Sequence, residues 1–242
     1  MAGYFSSNSN LNGGIALYNK SNDEVVMSQT AMESESHFLP HCFAKGNVVV
    51  AGLGLAVITL NLLMNRAVTR VTVLEIDETL ISMFPRILTG ESAKLWNDNI
   101  ASGRLQVIQA DCSQPLESHV KNGCGRKIDY LWVDTWSILG SNESFRITKH
   151  LVDELKPKQC DFWGCELYLA FNTVLSNPSL KAKPVIDFAE QSGIPFSVLS
   201  MSNKQSKLFA QFCYLASKNT MLVEKRRNLF QSQQSASLKV LS

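Results

Sequence analysis

No two cysteines in this chain stand in a C-x-x-C pair, neither sign of charge dominates, and no apolar run is as long as a membrane span. Each absence excludes something. Cys42, Cys112, Cys124, Cys160, Cys165 and Cys213 are unpaired in spacing, and several lie inside apolar runs. They read as reduced thiols, not as a disulfide framework. Lys plus Arg is 23 against 21 for Asp plus Glu, a formal charge of +2. That balance lacks the basic excess of a nucleic-acid binder, and no dedicated nucleic-acid module is expected. Met1 to Asn10 lacks the basic start and apolar stretch of a secretion signal, so a cytoplasmic location is expected. Val48 to Met64 is nearly continuous apolar sequence, but Gly52, Gly54, Thr59 and Asn61 interrupt it. It falls short of the ~20 residues of a spanning helix and reads as a strand, a turn and a helix. Internal repeats are absent.

What is present is a globular composition. Of 242 residues, 45% are hydrophobic and 18% charged, too apolar for a disordered chain. The length suits one domain with decoration. Residues 1–45 read as an N-terminal extension, a small hairpin or substrate lid. Gly14 to Tyr18 and Glu24 to Met27 are its strand candidates, and Asn19 to Asp23 its turn. Its acids are Asp23, Glu24, Glu33 and Glu35, against Lys20 and Lys45. Residues 46–217 form the core. Residues 218–242 are a polar tail with Lys218, Lys225, Arg226, Arg227 and Lys239 against Glu224.

Within the core, strands and helices alternate. Val48 to Ala51, Val71 to Ile76, Leu105 to Gln109 and Ile128 to Val133 are strands, and Phe162 to Ala170 is a fifth candidate. Leu55 to Asn65, Glu78 to Leu88, Glu143 to Leu155 and Pro184 to Gln191 are helices. Apolar strands alternating with helices predict a parallel sheet covered on both faces. Pro195 to Met201 and Leu208 to Ser217 look strand-like. The short Ser202–Lys207 link between them excludes a parallel crossover, so an antiparallel hairpin is expected there.

Acidic and small residues fall at the carboxyl ends of these strands. Gly52, Gly54 and Ala56 follow the first strand and open a helix, where a glycine-rich turn and helix N-terminus offer N–H groups to a carboxylate or phosphate. Glu75 ends the second strand about 20 residues beyond Gly54, the place for an acid that accepts from ribose hydroxyls. Asp77 is read as the cap of the following helix. Asp111 and Cys112 follow the third strand, where a carboxylate and a backbone N–H can meet an adenine. Asp134 follows the fourth strand and points into the crevice where open α/β sheets bind ligands. A dinucleotide site would place its third small residue at Val57, which is too bulky, so an oxidoreductase ranks last.

The segments Val48-Val49-Val50-Ala51-Gly52-Leu53-Gly54, Val73-Leu74-Glu75-Ile76-Asp77 and Asp129-Tyr130-Leu131-Trp132-Val133-Asp134 resemble the class I S-adenosylmethionine-dependent methyltransferase superfamily. Within it they look most like the spermidine/spermine synthase branch. By motif the resemblance covers about Asn47 to Asp134. It implies a Rossmann-like, seven-stranded, mostly parallel sheet with an antiparallel last strand and helices on both faces. It also implies S-adenosylmethionine, or its decarboxylated form, as cofactor. Gly52 and Gly54 would lie at the methionine portion, Glu75 on the ribose, and Asp111 with Cys112 at the adenine. Asp134 stands where that branch keeps its catalytic acid. The run Asp134-Thr135-Trp136-Ser137 lacks the branch's second acid, and Glu35-Ser36-His37-Phe38 replaces its Tyr-His-Glu segment. Methyl transfer to a small or peptide-like acceptor therefore ranks first, with His37 and Trp136 on the acceptor side. Aminopropyl transfer ranks second. A binding protein that keeps the fold without catalysis is the third reading. The oligomeric state stays open, although that branch is often dimeric.

No metal is expected. His37 and His41 have zinc-like spacing, but Pro40 lies between them and no third ligand is evident. His119 and His150 read as surface residues on helices. Cys160 and Cys165 flank Phe162 and Trp163, which read as strand core.

Overall fold

The computed structural model describes residues 16–19, 24–28, 31–136, 139, 141–173 and 182–219. Residues 20–23, Ser137 and the tail from position 220 onward, all invoked above, lie outside the described residues. Two strands, β1 (Ala16–Asn19) and β2 (Glu24–Ser28), form an antiparallel pair in which Leu17 faces Met27. The two strand candidates therefore pair, and the turn expected between them lies outside the described residues beyond Asn19. Short helices α1 (Ala31–Ser36) and α2 (Phe38–Phe43) lead from it to the core.

The core begins with β3 (Gly46–Ala51), α3 (Val57–Met64), β4 (Val68–Glu75), α4 (Glu78–Ile87) and α5 (Gly90–Ala101). It continues with β5 (Leu105–Gln109), α6 (Ser118–Cys124), β6 (Tyr130–Val133), α7 (Asn142–Leu155), β7 (Cys160–Phe162), α8 (Cys165–Thr173) and α9 (Ala182–Ser192). A 3₁₀ turn at Ser197–Ser200 and a helix α10 over residues 203–219 follow. The five core strands run in the order β5-β4-β3-β6-β7, and every pair is parallel. Val48 to Ala51 and Tyr130 to Val133 have no exposed surface. A strand with every residue buried has both faces covered, which explains why these segments lack polar alternation.

This strand order creates a switch point. From β3 the chain steps outward through β4 to β5, then returns to place β6 on the other side of β3. At such a switch point, here at the carboxyl ends of β3 and β6, the flanking connections diverge, and open α/β sheets bind their ligands at this place. The opposite end of the sheet is tied shut. The Arg104 guanidinium donates to the carbonyls of Leu63, Asn65 and Val68, so it closes the end of α3 and the start of β4.

Three expectations are corrected. The sheet has five strands among the described residues instead of seven. The segment Phe162 to Ala170 is a strand only to Phe162, because Gly164 (φ +84°) turns the chain into α8. Most of α8 is buried, from Cys165 through Ala170, so no polar stripe marks it as helical. The terminal antiparallel hairpin is also absent: Pro195 to Met201 contains the 3₁₀ turn, and Leu208 to Ser217 lies within α10. A capping box starts that helix. Ser202 N–H donates to Gln205 Oε1 at 2.9 Å, and Gln205 N–H donates to Ser202 Oγ at 3.4 Å. Buried Ser206, Phe209, Ala210, Cys213, Ala216 and Ser217 then recur at helical spacing.

Candidate functional site at the carboxyl edge of the sheet

The turn after β3 is built from backbone that ordinary residues avoid. Gly52 has φ +99°, Gly54 φ +50° and Ala56 φ +50°. Gly52 N–H donates to the Leu74 carbonyl, and Asp134 N–H donates to the Ala51 carbonyl, both at 2.8 Å. A Cβ on Gly52 would stand 1.9 Å from the Asp134 carbonyl oxygen. Glycine is therefore required because the tips of β3 and β6 meet there. Ala56 is fully buried and takes the left-handed conformation at the N-cap of α3. The sequence motif thus folds as three left-handed residues at alternate positions, ending at a helix start.

Glu75 sits beneath this turn. It is only 8% exposed, and both its oxygens accept backbone hydrogen bonds. Oε2 takes the Leu53 N–H at 2.8 Å and Oε1 takes the Asp77 N–H at 2.9 Å. The acid at the tip of β4 therefore braces the glycine turn of β3. An ionised carboxylate has about four lone-pair sites, so two bonds leave it capacity to accept more. Asp77 is the cap of α4, as expected: its Oδ1 accepts from Thr79 and Leu80 N–H.

After β5, Ala110 N–H donates to the Glu75 carbonyl, which ties the next loop to the same edge. Asp111 Oδ1 accepts from the Ser113 N–H at 2.8 Å and from its hydroxyl at 2.7 Å. Those bonds hold the Asp111 carboxyl below its usual range. Burial, followed by the charges of Glu75 and Asp111, pushes the Cys112 thiol up to about 12. Cys112 is thus a neutral, buried thiol and not a nucleophile.

On the other side of the switch point, Asp134 meets His37. The His37 Nε2 lies 3.7 Å from Asp134 Oδ2, and the Asp134 side chain keeps 19% of its surface exposed. That separation is too long for a hydrogen bond. His37 is 1% exposed, stands edge-on to Trp132 at 5.9 Å, and neither of its ring nitrogens has a hydrogen-bond partner among the described residues. Such a group is unusual, because burial normally comes with a partner. His41, one turn later, has its pKa lowered by burial and then by the nearby His37. Trp136 donates its indole N–H to the Trp163 carbonyl at 3.2 Å and stands edge-on to Phe162. Trp163 in turn donates to the buried Ser36 hydroxyl at 2.8 Å. The segment preceding β3 is thereby fastened to the loops after β6 and β7.

The structure therefore gathers Gly52, Gly54, Glu75, Asp111 and Cys112 around the β3–β4–β5 edge, and Asp134, His37 and Trp136 around the β6 edge. No group of His, Cys, Asp and Glu suited to a metal occurs among the described residues. His119 on α6 is exposed, whereas His150 on α7 is half-buried with its Nε2 2.9 Å from the Gln114 carbonyl oxygen. No described helix is long and apolar enough to cross a membrane. One participant went unread in the sequence. Met27, on β2, places its Sδ 3.0 Å from the Leu55 N–H, directly over the glycine turn. A methionine in a short hairpin strand carries no signal of that destination.

No protein-family model matches this chain, and no curated protein matches it. Among solved structures, it is similar to the methyltransferase domain of bacterial CtHen1, with 14% identity, TM-score 0.35, and coverage of 52% of this chain and 60% of that one. It is also similar to the glycopeptide N-methyltransferase MtfA complexed with S-adenosyl-L-homocysteine, with 16% identity, TM-score 0.33, and coverage of 50% and 42%. A third likeness is to precorrin 8W decarboxylase from Methanobacterium thermoautotrophicum, with 20% identity, TM-score 0.34, and coverage of 58% and 63%. The chain spans less than two thirds of each of these structures.

Proposed function

We infer that this chain binds S-adenosylmethionine at the carboxyl edge of its sheet and transfers the methyl group to a small or peptide-like acceptor. The observation that carries this reading is the joint between Glu75 and the glycine turn, with the acid of β4 accepting from the Leu53 N–H. The joint puts the spare acceptor capacity of Glu75 beside the start of α3, where the first-turn N–H groups have no intrahelical partners. A ribose diol and a carboxylate on one ligand need those two features side by side. Asp111 adds an acceptor at the end of β5. These residues fit a ligand with an amino-acid end, a ribose and a purine.

When bound, S-adenosylmethionine supplies an electrophilic methyl group on a sulfonium. The chain's work is then to hold the acceptor in line and to take its proton. Asp134 is the group placed for this, since it is partly exposed and has no hydrogen-bonded cation among the described residues. His37, 3.7 Å away with both ring nitrogens unpartnered, is placed to receive or orient that proton. Trp136 supplies an aromatic wall beside Asp134. Aminopropyl transfer from the decarboxylated cofactor remains the finer alternative, and the missing second acid after Asp134 ranks it lower. Localisation in the cytoplasm and a dimeric state belong to the same proposal.

Calorimetric titration with S-adenosylmethionine, S-adenosylhomocysteine, decarboxylated S-adenosylmethionine and NAD tests it. The expected result is binding of the first two, weaker binding of the third and none of NAD. Preference for the decarboxylated form moves the assignment to aminopropyl transfer. Silence in all four titrations sinks the enzyme reading.

A further inference from the structure

The place over the glycine turn, where a ligand would approach the N–H groups at the start of α3, is covered by the chain's own methionine. Met27 Sδ accepts from the Leu55 N–H at 3.0 Å. A Cβ added at Gly54 would lie 2.4 Å from the same sulfur. Gly54 therefore gives way to Met27 in this conformation. The cross-strand partner of Met27 is Leu17, which also packs against the core, so the two anchor one face of the hairpin on the domain. Among the described residues, the hairpin is a separate two-stranded sheet with no strand pairing to the five-stranded one. It can therefore leave without breaking the main sheet.

Resting on the cofactor reading above, we propose that the N-terminal hairpin is a self-occupying gate. The Met27 thioether is a surrogate ligand on the Leu55 N–H, and the amino-acid end of the cofactor must displace it to bind. A ligand that binds only the open form has its apparent affinity reduced by the fraction of open molecules. The gate therefore weakens binding in the resting protein. Anything that pulls the hairpin away strengthens it.

The test uses the full chain, with S-adenosylhomocysteine as probe. Met27→Ala removes both the sulfur and the cover, and its Kd is expected to fall about tenfold below that of the unaltered protein. Met27→Leu keeps an apolar cover of similar size but has no sulfur to accept from the Leu55 N–H, so its Kd is expected to fall between those of the unaltered protein and Met27→Ala. Separately, the methionine methyl groups are labelled with carbon-13, and the Met27 signal is assigned by its loss in Met27→Leu. Adding the probe should move that signal to the position of a solvent-exposed methionine. Equal affinities for the unaltered protein and Met27→Ala overturn the gate and leave the cofactor reading standing. Weaker binding by Met27→Ala, or a Met27 methyl that becomes more buried on binding, also overturns it, since Met27 would then be a wall of the occupied site. No binding by either protein overturns the cofactor reading and the gate with it.

Discussion

Glu75 shows how one side chain can be read correctly in place and incompletely in role. Its position at the tip of the second core strand is legible, because an acid ends an apolar run about 20 residues beyond the glycines. Its two backbone bonds are not legible, because they depend on where the neighbouring turn comes to rest. The consequence is practical. Glu75→Ala strips acceptors from the Leu53 and Asp77 N–H groups, and leaving buried donors unpaired costs about 1–3 kcal/mol. Loss of ligand binding in that variant would therefore mix a weakened turn with a missing contact. Glu75→Gln keeps one acceptor and should lose less stability, about half as much, while still weakening any bond that needs a charged acceptor. Denaturant melts of the two variants beside their ligand titrations separate the effects. Gly52 makes the sharper case. A methyl group there would overlap the Asp134 carbonyl oxygen at a φ of +99°. Gly52→Ala is expected to cost about 2–4 kcal/mol and to shift the denaturation midpoint accordingly.

Helices are legible in the sequence where one face is polar and obscure where none is. The strands β3 and β6 are legible as short apolar runs, and α7 from its period and its stop before Pro157. The segment now seen as α8 is apolar at nearly every position, so a strand and a buried helix predict the same pattern. For α10 the information was present: Ser202 and Gln205 stand three apart ahead of a helical period, the signature of a capping box. Phe212, Cys213 and Tyr214, side chains of types common in strands, point the other way. Ser202→Ala removes the hydroxyl that accepts from Gln205 N–H, and it should cost about 1 kcal/mol in thermal unfolding. The end of β7 carries a further element-scale effect. Asp161 is fully buried and accepts from the Tyr130 hydroxyl at 2.8 Å and from the Ser197 N–H at 3.1 Å, which links β6, β7 and the 3₁₀ turn. Burial nevertheless pushes its carboxyl up to about 6. The folded protein thus holds this proton more tightly than the unfolded chain. The resulting stability is complete below the unfolded value near 4 and is lost as pH rises through about 6, roughly 3 kcal/mol in all. Asp161→Asn cannot ionise and should flatten that part of the profile, which denaturant melts between about pH 4 and pH 7.5 would read out.

At the scale of the whole molecule, the two ends of the sheet are built for different tasks. The amino end is closed by Arg104 on three carbonyls. The carboxyl end instead collects left-handed backbone at Gly52, Gly54 and Ala56, an unpartnered buried His37, and carboxylates at Glu75, Asp111 and Asp134. Such features lower stability locally, are held by the structure around them, and cluster at functional sites. A ligand that binds only the folded state adds RT ln(1 + [L]/Kd), about 2.7 kcal/mol at a hundredfold excess over Kd. For a chain of this size, each kcal/mol raises the melting temperature by about 2–4 °C. S-adenosylhomocysteine at that excess should therefore raise it by about 5–10 °C, while an equal concentration of NAD leaves it unchanged. The rise should grow with the logarithm of ligand concentration, since it follows from mass action. Charge-altering variants on the exposed face of α5, such as Lys94→Gln, should melt with the same ligand-induced increment as the unaltered protein, because they touch neither the turn nor its acids. An increment that appears equally with NAD, or that fails to grow with concentration, would place the stabilisation somewhere other than the edge formed by β3, β4 and β6.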